Sequence, residues 1–218
     1  MSLFSFSEFG RFFDKLEEKI SLKSDKKTYL KVLCDAYQKE PLFDKTVVYA
    51  WDALNKSNYQ WFNKIVKDCT LIFYSEQPIQ EDFIKIKGKK YDLVFLDKSP
   101  YKNQKEMKAD YDNNKSIYIG IDYSEHPIFS LEDNIVFRFV HDFLVHIKGD
   151  FSFGTGEINC YNLHIRLVPK DAIGALFTEV LAQAAVAMTT GNFPTQKICL
   201  LKEFDWLNIG YTSDGELI

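Results

Sequence analysis

The chain is poor in cysteine, and its four, Cys34, Cys69, Cys160 and Cys199, never stand at C-x-x-C spacing. That excludes zinc-ribbon and thioredoxin-type readings and leaves reduced, core-filling thiols as the expectation. Long apolar runs are also missing. The longest, residues 172–188, is interrupted by Glu179 and Gln183, which fits a buried helix rather than a membrane span. The first twenty residues carry Glu8, Arg11, Asp14 and Lys15 among phenylalanines, so they read as an amphipathic helix and not as a signal peptide. No G-x-S-x-G, P-loop or dinucleotide fingerprint occurs, and no linker, internal repeat or low-complexity tract.

What is present is an ordinary globular balance, 46% apolar and 27% charged over 218 residues. This length suits a single domain that folds without staples. Aromatics reach 16%, with 19 Phe and 12 Tyr, so the core should be bulky. Charge is uneven: residues 1–120 carry a net +3 and residues 121–218 a net −7. An acidic half argues against a nucleic-acid surface there, because such surfaces need clustered Lys and Arg. The basic cluster Lys85, Lys87, Lys89 and Lys90 alternates with Phe83, Ile84 and Ile86, the pattern of a solvated sheet edge.

Apolar periodicity predicts helices over 4–20, 25–38 and 44–67, a strand over 70–75, and a hairpin of 82–87 and 90–96 through Gly88. A helix within 99–114 and a strand over 116–121 follow. The pattern then turns helical over 131–148, 156–167, 170–190 and 195–203. The expected fold class is α+β in one domain. N-terminal helices span 1–68, a small central sheet region 69–121, and a helical region with the candidate site 122–205.

The chemistry concentrates in that last region. On an α-helix with Arg138 at zero, His141 lies about 60° to one side, with Asp142 about 40° and His146 about 80° to the other. Phe139, Val140, Phe143, Leu144 and Ile147 share the opposite face, and Val145 alone breaks the division. Solvated helix faces are usually built from Lys and Glu; Arg, His, Asp and His are the groups that ligate metals or move protons. Glu157 and His164 share a face two turns apart, with Glu157 in a first turn where the helix dipole favours its ionised form. Glu179 and Gln183 sit four apart on the most apolar helix, where an unpaired carboxylate is costly. Glu179 paired with Arg138 in a buried structural contact is one reading; Glu179 facing the histidines is the other. Convergence of His141, Asp142, His146, Glu157, His164 and Glu179 would suit Zn²⁺, Mn²⁺ or Fe²⁺. The five-residue interval between His141 and His146 fits no standard zinc signature. Cys160, one turn before His164, is poorly placed for a catalytic thiol.

These residues also carry a resemblance. Phe137, Arg138, His141, Asp142 and His146 match the F-R-x-x-H-D-x-x-G-H core of an uncharacterised protein family common in tailed bacteriophages and related mobile elements. Gly156-Glu157 through His164, Thr178-Glu179 with Gln183, and Phe193-Pro194 with Gln196-Lys197 match its later segments. Pro100-Tyr101, Glu106-Met107, Asp110 and His126-Pro127 fit upstream. The likeness spans roughly residues 45–200. Val145 replaces the family's usual glycine, and Ile158 a frequent second acid. The resemblance implies a phage-encoded protein and brings no settled activity.

Two functional expectations follow. The first is a metal-dependent hydrolase in the host cytoplasm. His141, His146 and Glu157 would be its ligands, Asp142 a ligand or orienting group, Glu179 a base or fourth ligand, and Arg138 an anion or carboxylate binder. The second is a non-enzymatic virion or interaction protein in which these residues form a buried polar network. There Phe4, Phe6, Phe9, Phe12 and Phe13 would dock other virion proteins. Neither expectation involves nucleic acid or membrane.

Overall fold

A computed structural model describes residues 25–218; the helix expected over 4–20 and its phenylalanines lie outside the described residues. The fold is α+β, as the patterning predicts. Two helices, α1 (Lys26–Lys39) and α2 (Val48–Ile65), precede a four-stranded sheet. Its strands are β1 (Thr70–Ser75), β2 (Phe83–Ile86), β3 (Lys89–Phe95) and β4 (Ser116–Gly120), ordered β2-β3-β1-β4. β1 is central and parallel to both β3 and β4, while β2 and β3 form the antiparallel hairpin. The hairpin turns through Lys87 and Gly88, both at positive φ, the backbone that a two-residue hairpin loop demands. Lys87 and Lys90 lie over the rings of Tyr59 and Phe83, so the basic cluster is a solvated edge dressed on local aromatics. Helix α3 (Gln104–Asn114) carries the chain from β3 across to β4.

The helical half follows. Helix α4 (Leu131–His141) starts with a capping box between Ser130 and Asp133 and continues without a break into a π-helical segment, Asp142–Lys148. Helix α5 is Glu157–His164. Helix α6, Lys170–Thr190, also contains a π-helical segment, Phe177–Ala182. By length and composition α6 passes for a membrane span, yet its most apolar stretch is 72% buried inside the fold, as a core helix is.

Two apolar cores result. One gathers α1, the first half of α2, α6 and the C-terminal segment around Trp51, Tyr161 and Phe177. The other packs Phe62, Phe139 and Phe143 against Leu71, Phe73 and Ile119 of the sheet. Helices α2 and α5 contribute to both, so the polar residues of α4–α6 sit near the seam. All four cysteines are free thiols, and Cys34, Cys160 and Cys199 are buried.

Two sequence expectations are corrected. Residues 195–203 are not helical. Ile198 pairs with Phe43 in an isolated parallel bridge, with Ile198 N–H donating to the Leu42 carbonyl and Asp44 N–H to that of Ile198. Val145, projected onto the polar face, is fully buried because the π turn shifts the helix phase.

Several motif residues turn out to hold the frame. Tyr101 donates to Asp110, which steadies the approach to α3. Lys197 is buried, and its ammonium donates to the carbonyls of Tyr37, Gln38 and Glu40, capping the C-terminus of α1. Replacing Lys197 with Met strands those carbonyls. The expected destabilisation is about 2–3 kcal/mol, read as a lower urea midpoint at unchanged m-value. A midpoint within error of the native one would refute the capping role.

Candidate metal centre

The centre begins with how α4 ends. Over five residues an α-helix rotates side chains about 140° apart, which would splay His141 from His146. In the π-helical turn the repeat is i to i+5, and residues five apart fall one above the other. The Gly149 N–H closes this turn onto the Leu144 carbonyl. Gly149 is required there, since a Cβ would lie 2.7 Å from the Val145 carbonyl and 2.8 Å from Leu163 Cδ2. The imidazoles consequently stand 5.0 Å apart, ring centre to ring centre.

His146 is buried and its orientation is fixed twice. Its Nδ1 lies 2.8 Å from the Phe151 carbonyl, so that nitrogen carries the proton, and its backbone carbonyl accepts from Gln104. Its Nε2 then faces Glu157 Oε1 at 3.7 Å and Asp142 Oδ1 at 3.9 Å. His141 Nε2 lies 3.5 Å from Glu157 Oε2. These separations are long for hydrogen bonds but close to those of donors around one ion. Four donors about 2.1 Å from a tetrahedral centre are about 3.4 Å apart. His141, His146, Glu157 and Cys160 each offer a donor atom, all within 4.8 Å of one another, so the group can hold a metal ion. The expected trio thus converges. Cys160 joins it, a ligand position the sequence reading passed over. The available signal was its place three residues after Glu157, on the same helical face.

The other expected residues divide. Asp142 stands beside the cluster, outside the four-donor group. His164 lies behind His141, Nδ1 to Nδ1 at 3.4 Å, with its Nε2 buried and unpartnered. Arg138 does not hold Glu179. Its guanidinium donates to the carbonyls of Gly120, Asp122 and Tyr123, tying the end of β4 to α4. Glu179 lines the same cavity of roughly 430 Å³ as His141, His146 and Glu157. Its carboxylate, however, accepts from Trp51 Nε1, His126 Nε2 and Gln183 Nε2 at 2.7, 3.1 and 2.7 Å. Trp51 carries no sequence signal for this role, and His126 enters from sequence only through the His126-Pro127 match, not as a site residue. Tyr74 and Gly120, at the carboxyl ends of β1 and β4, complete the wall where open parallel sheets place ligands.

Burial pushes the Cys160 thiol up, and the charges of Glu157 and Asp142 add to it. Burial raises the Asp142 carboxyl, with both histidines pulling the other way. Burial would also raise Glu157, but the neighbouring imidazole of His141 holds it below the usual range. Burial works against protonated His141, and Glu157 overcomes it, raising the imidazole. His146 is lowered by burial and by His141. His164 is lowered well below 6.5 by burial, then by His141. Comparison with protein-family models, curated proteins and solved structures finds no match.

The His164 shift carries a sign. Near pH 6.5 the unfolded chain protonates this imidazole while the folded one refuses until well below. The unfolded state binds more protons in that window, so stability falls as pH drops, by about 1.4 kcal/mol per pH unit for one proton. His146 acts in the same direction. His141, raised, contributes stability below pH 6.5 that is lost as pH climbs through its folded value. His164→Gln should flatten the fall of metal-free protein below pH 6.5, followed by urea unfolding in chelator. An unaltered slope would rule out His164 as its source.

Proposed function

We propose that the protein is a phage-encoded, metal-dependent hydrolase whose ion is held by His141, His146 and Glu157. The observation that supports this is the convergence of these donors, from two helices, on one wall of a cavity at the carboxyl ends of β1 and β4. Imidazole and carboxylate donors suit Zn²⁺, Mn²⁺ or Fe²⁺, and the Cys160 thiol within reach of the three favours Zn²⁺ among them. A bound divalent cation supplies Lewis acidity that makes water a nucleophile near neutral pH. Asp142 is the proton carrier. Its carboxyl is shifted upward by burial and stands beside the cluster, the placement and poise that general acid–base work needs. Glu179 is not the base in this reading, since three N–H donors already occupy it. The Phe151 carbonyl on His146 and the His164 ring on His141 orient the ligands from behind, as outer partners of metal-bound imidazoles do.

The second reading is a non-enzymatic virion or interaction protein. It draws on how many motif residues, Arg138, Lys197 and Asp110 among them, are spent on holding elements together.

Elemental analysis separates the two. Protein purified without added metal should contain near-stoichiometric Zn, Mn or Fe. His146→Ala should lower metal affinity at least about a hundredfold while keeping the native circular dichroism, because loss of an outer partner alone costs 10–100-fold. A native protein that is metal-free and indifferent to chelator would leave the virion reading standing.

A further inference from the structure

Glu179 brings a carboxylate into the cavity wall, and the groups that hold it carry no positive charge. Trp51 Nε1 and Gln183 Nε2 are neutral donors. His126 is neutral as well: its Nδ1 accepts the backbone N–H groups of Ile128 and Phe129 at 3.2 and 2.8 Å. A ring nitrogen that accepts carries no proton, so the proton sits on Nε2, facing Glu179 Oε1. Among the described residues, no Lys or Arg lies within 4.0 Å of Glu179. Arg138 shares the cavity, but its guanidinium lies on three carbonyls, in the field of Asp142, Asp122 and Glu125.

A buried charge is ordinarily paired, because desolvation without a counter-charge is expensive. Among the described residues Glu179 has its hydrogen bonds and no Lys or Arg counter-ion. Among the described residues Oε2 accepts from Gln183 alone, and a carboxylate oxygen has room for a second donor. Beside it α6 lines the cavity with Ala184 and Ala187, small side chains that leave space for a chain to lie along the wall. We propose that this cavity takes a ligand bearing a cationic nitrogen, an ammonium or guanidinium, which seats against Glu179 while an uncharged portion runs along α6. This rests on the proposed hydrolase only in making that ligand the substrate; the cation seat stands on Glu179 itself.

The test uses full-length protein and three probes, N-acetyl-lysine methylamide, N-acetyl-norleucine methylamide and N-acetyl-glutamate methylamide. Binding is followed by calorimetry and by the NMR signal of the Trp51 indole N–H, which reports on Glu179 directly. The lysine probe should bind at least about tenfold tighter than the norleucine probe and shift the Trp51 signal, and E179Q should erase the preference. Equal binding of the three, no binding at millimolar concentration, or a preference that survives E179Q overturns the proposal. If E179Q does not fold, the wild-type protein decides: a lysine preference that leaves the Trp51 signal unmoved overturns it too. Zinc titration of the same samples separates the two ideas. Lysine preference without zinc binding sinks the metal centre alone, and zinc binding without that preference sinks the cation seat alone.

Discussion

The widened turn over Asp142–Lys148 fixes both faces of α4 at once. On one side it brings His146 into line with His141, and on the other it turns Val145 into the sheet-facing core. The i-to-i+5 hydrogen bond that closes it survives because its surroundings over-determine it. Gly149 removes a clash, Gln104 binds both the His146 carbonyl and Asp150, and the Phe151 N–H returns to the Val145 carbonyl. Such turns are rare in helices and frequent at functional sites, where they re-aim side chains without ending the helix.

Two carboxylates on the same cavity show how surroundings assign different work to like groups. Glu157 faces two imidazoles, and its carboxylate raises His141 while His141 in turn holds Glu157 below the usual carboxylate range. Glu179 faces an indole, an amide and a neutral imidazole, which among the described residues fill Oε1, half-fill Oε2 and bring no positive charge. Arg138 sets the boundary between them by spending its donors on the loop after β4, which also leads to His126. That loop therefore ties the sheet to the site from above, as Lys197 ties α1 to the C-terminal segment.

Local pattern made most of the fold legible. Apolar spacing and turn residues locate β1 and the Gly88 hairpin within one residue and the long helices within four, because those signals are carried by adjacent side chains. The failure at 195–203 has a specific cause. A short apolar stretch reads as helix or strand alike, and here the chain is held extended by backbone bonds to Leu42 and Asp44, about 150 residues away. The site was legible in its ligands and not in its supports. His141, His146 and Glu157 stand out by residue type, whereas Trp51 looks like any core aromatic until its indole N–H is seen to have a buried partner.

Residue types and their spacing determined by themselves that this chain folds as α+β and concentrates imidazoles and carboxylates in its C-terminal half. Tertiary structure alone decided which of them meet. Ideal helical projection assumes 3.6 residues per turn throughout, and one π turn is enough to re-phase His146. The projection likewise cannot say which charges cancel, because pairing depends on distances across the fold. Arg138 and Glu179 share a cavity and still bind different partners, one three backbone carbonyls and the other three neutral side chains.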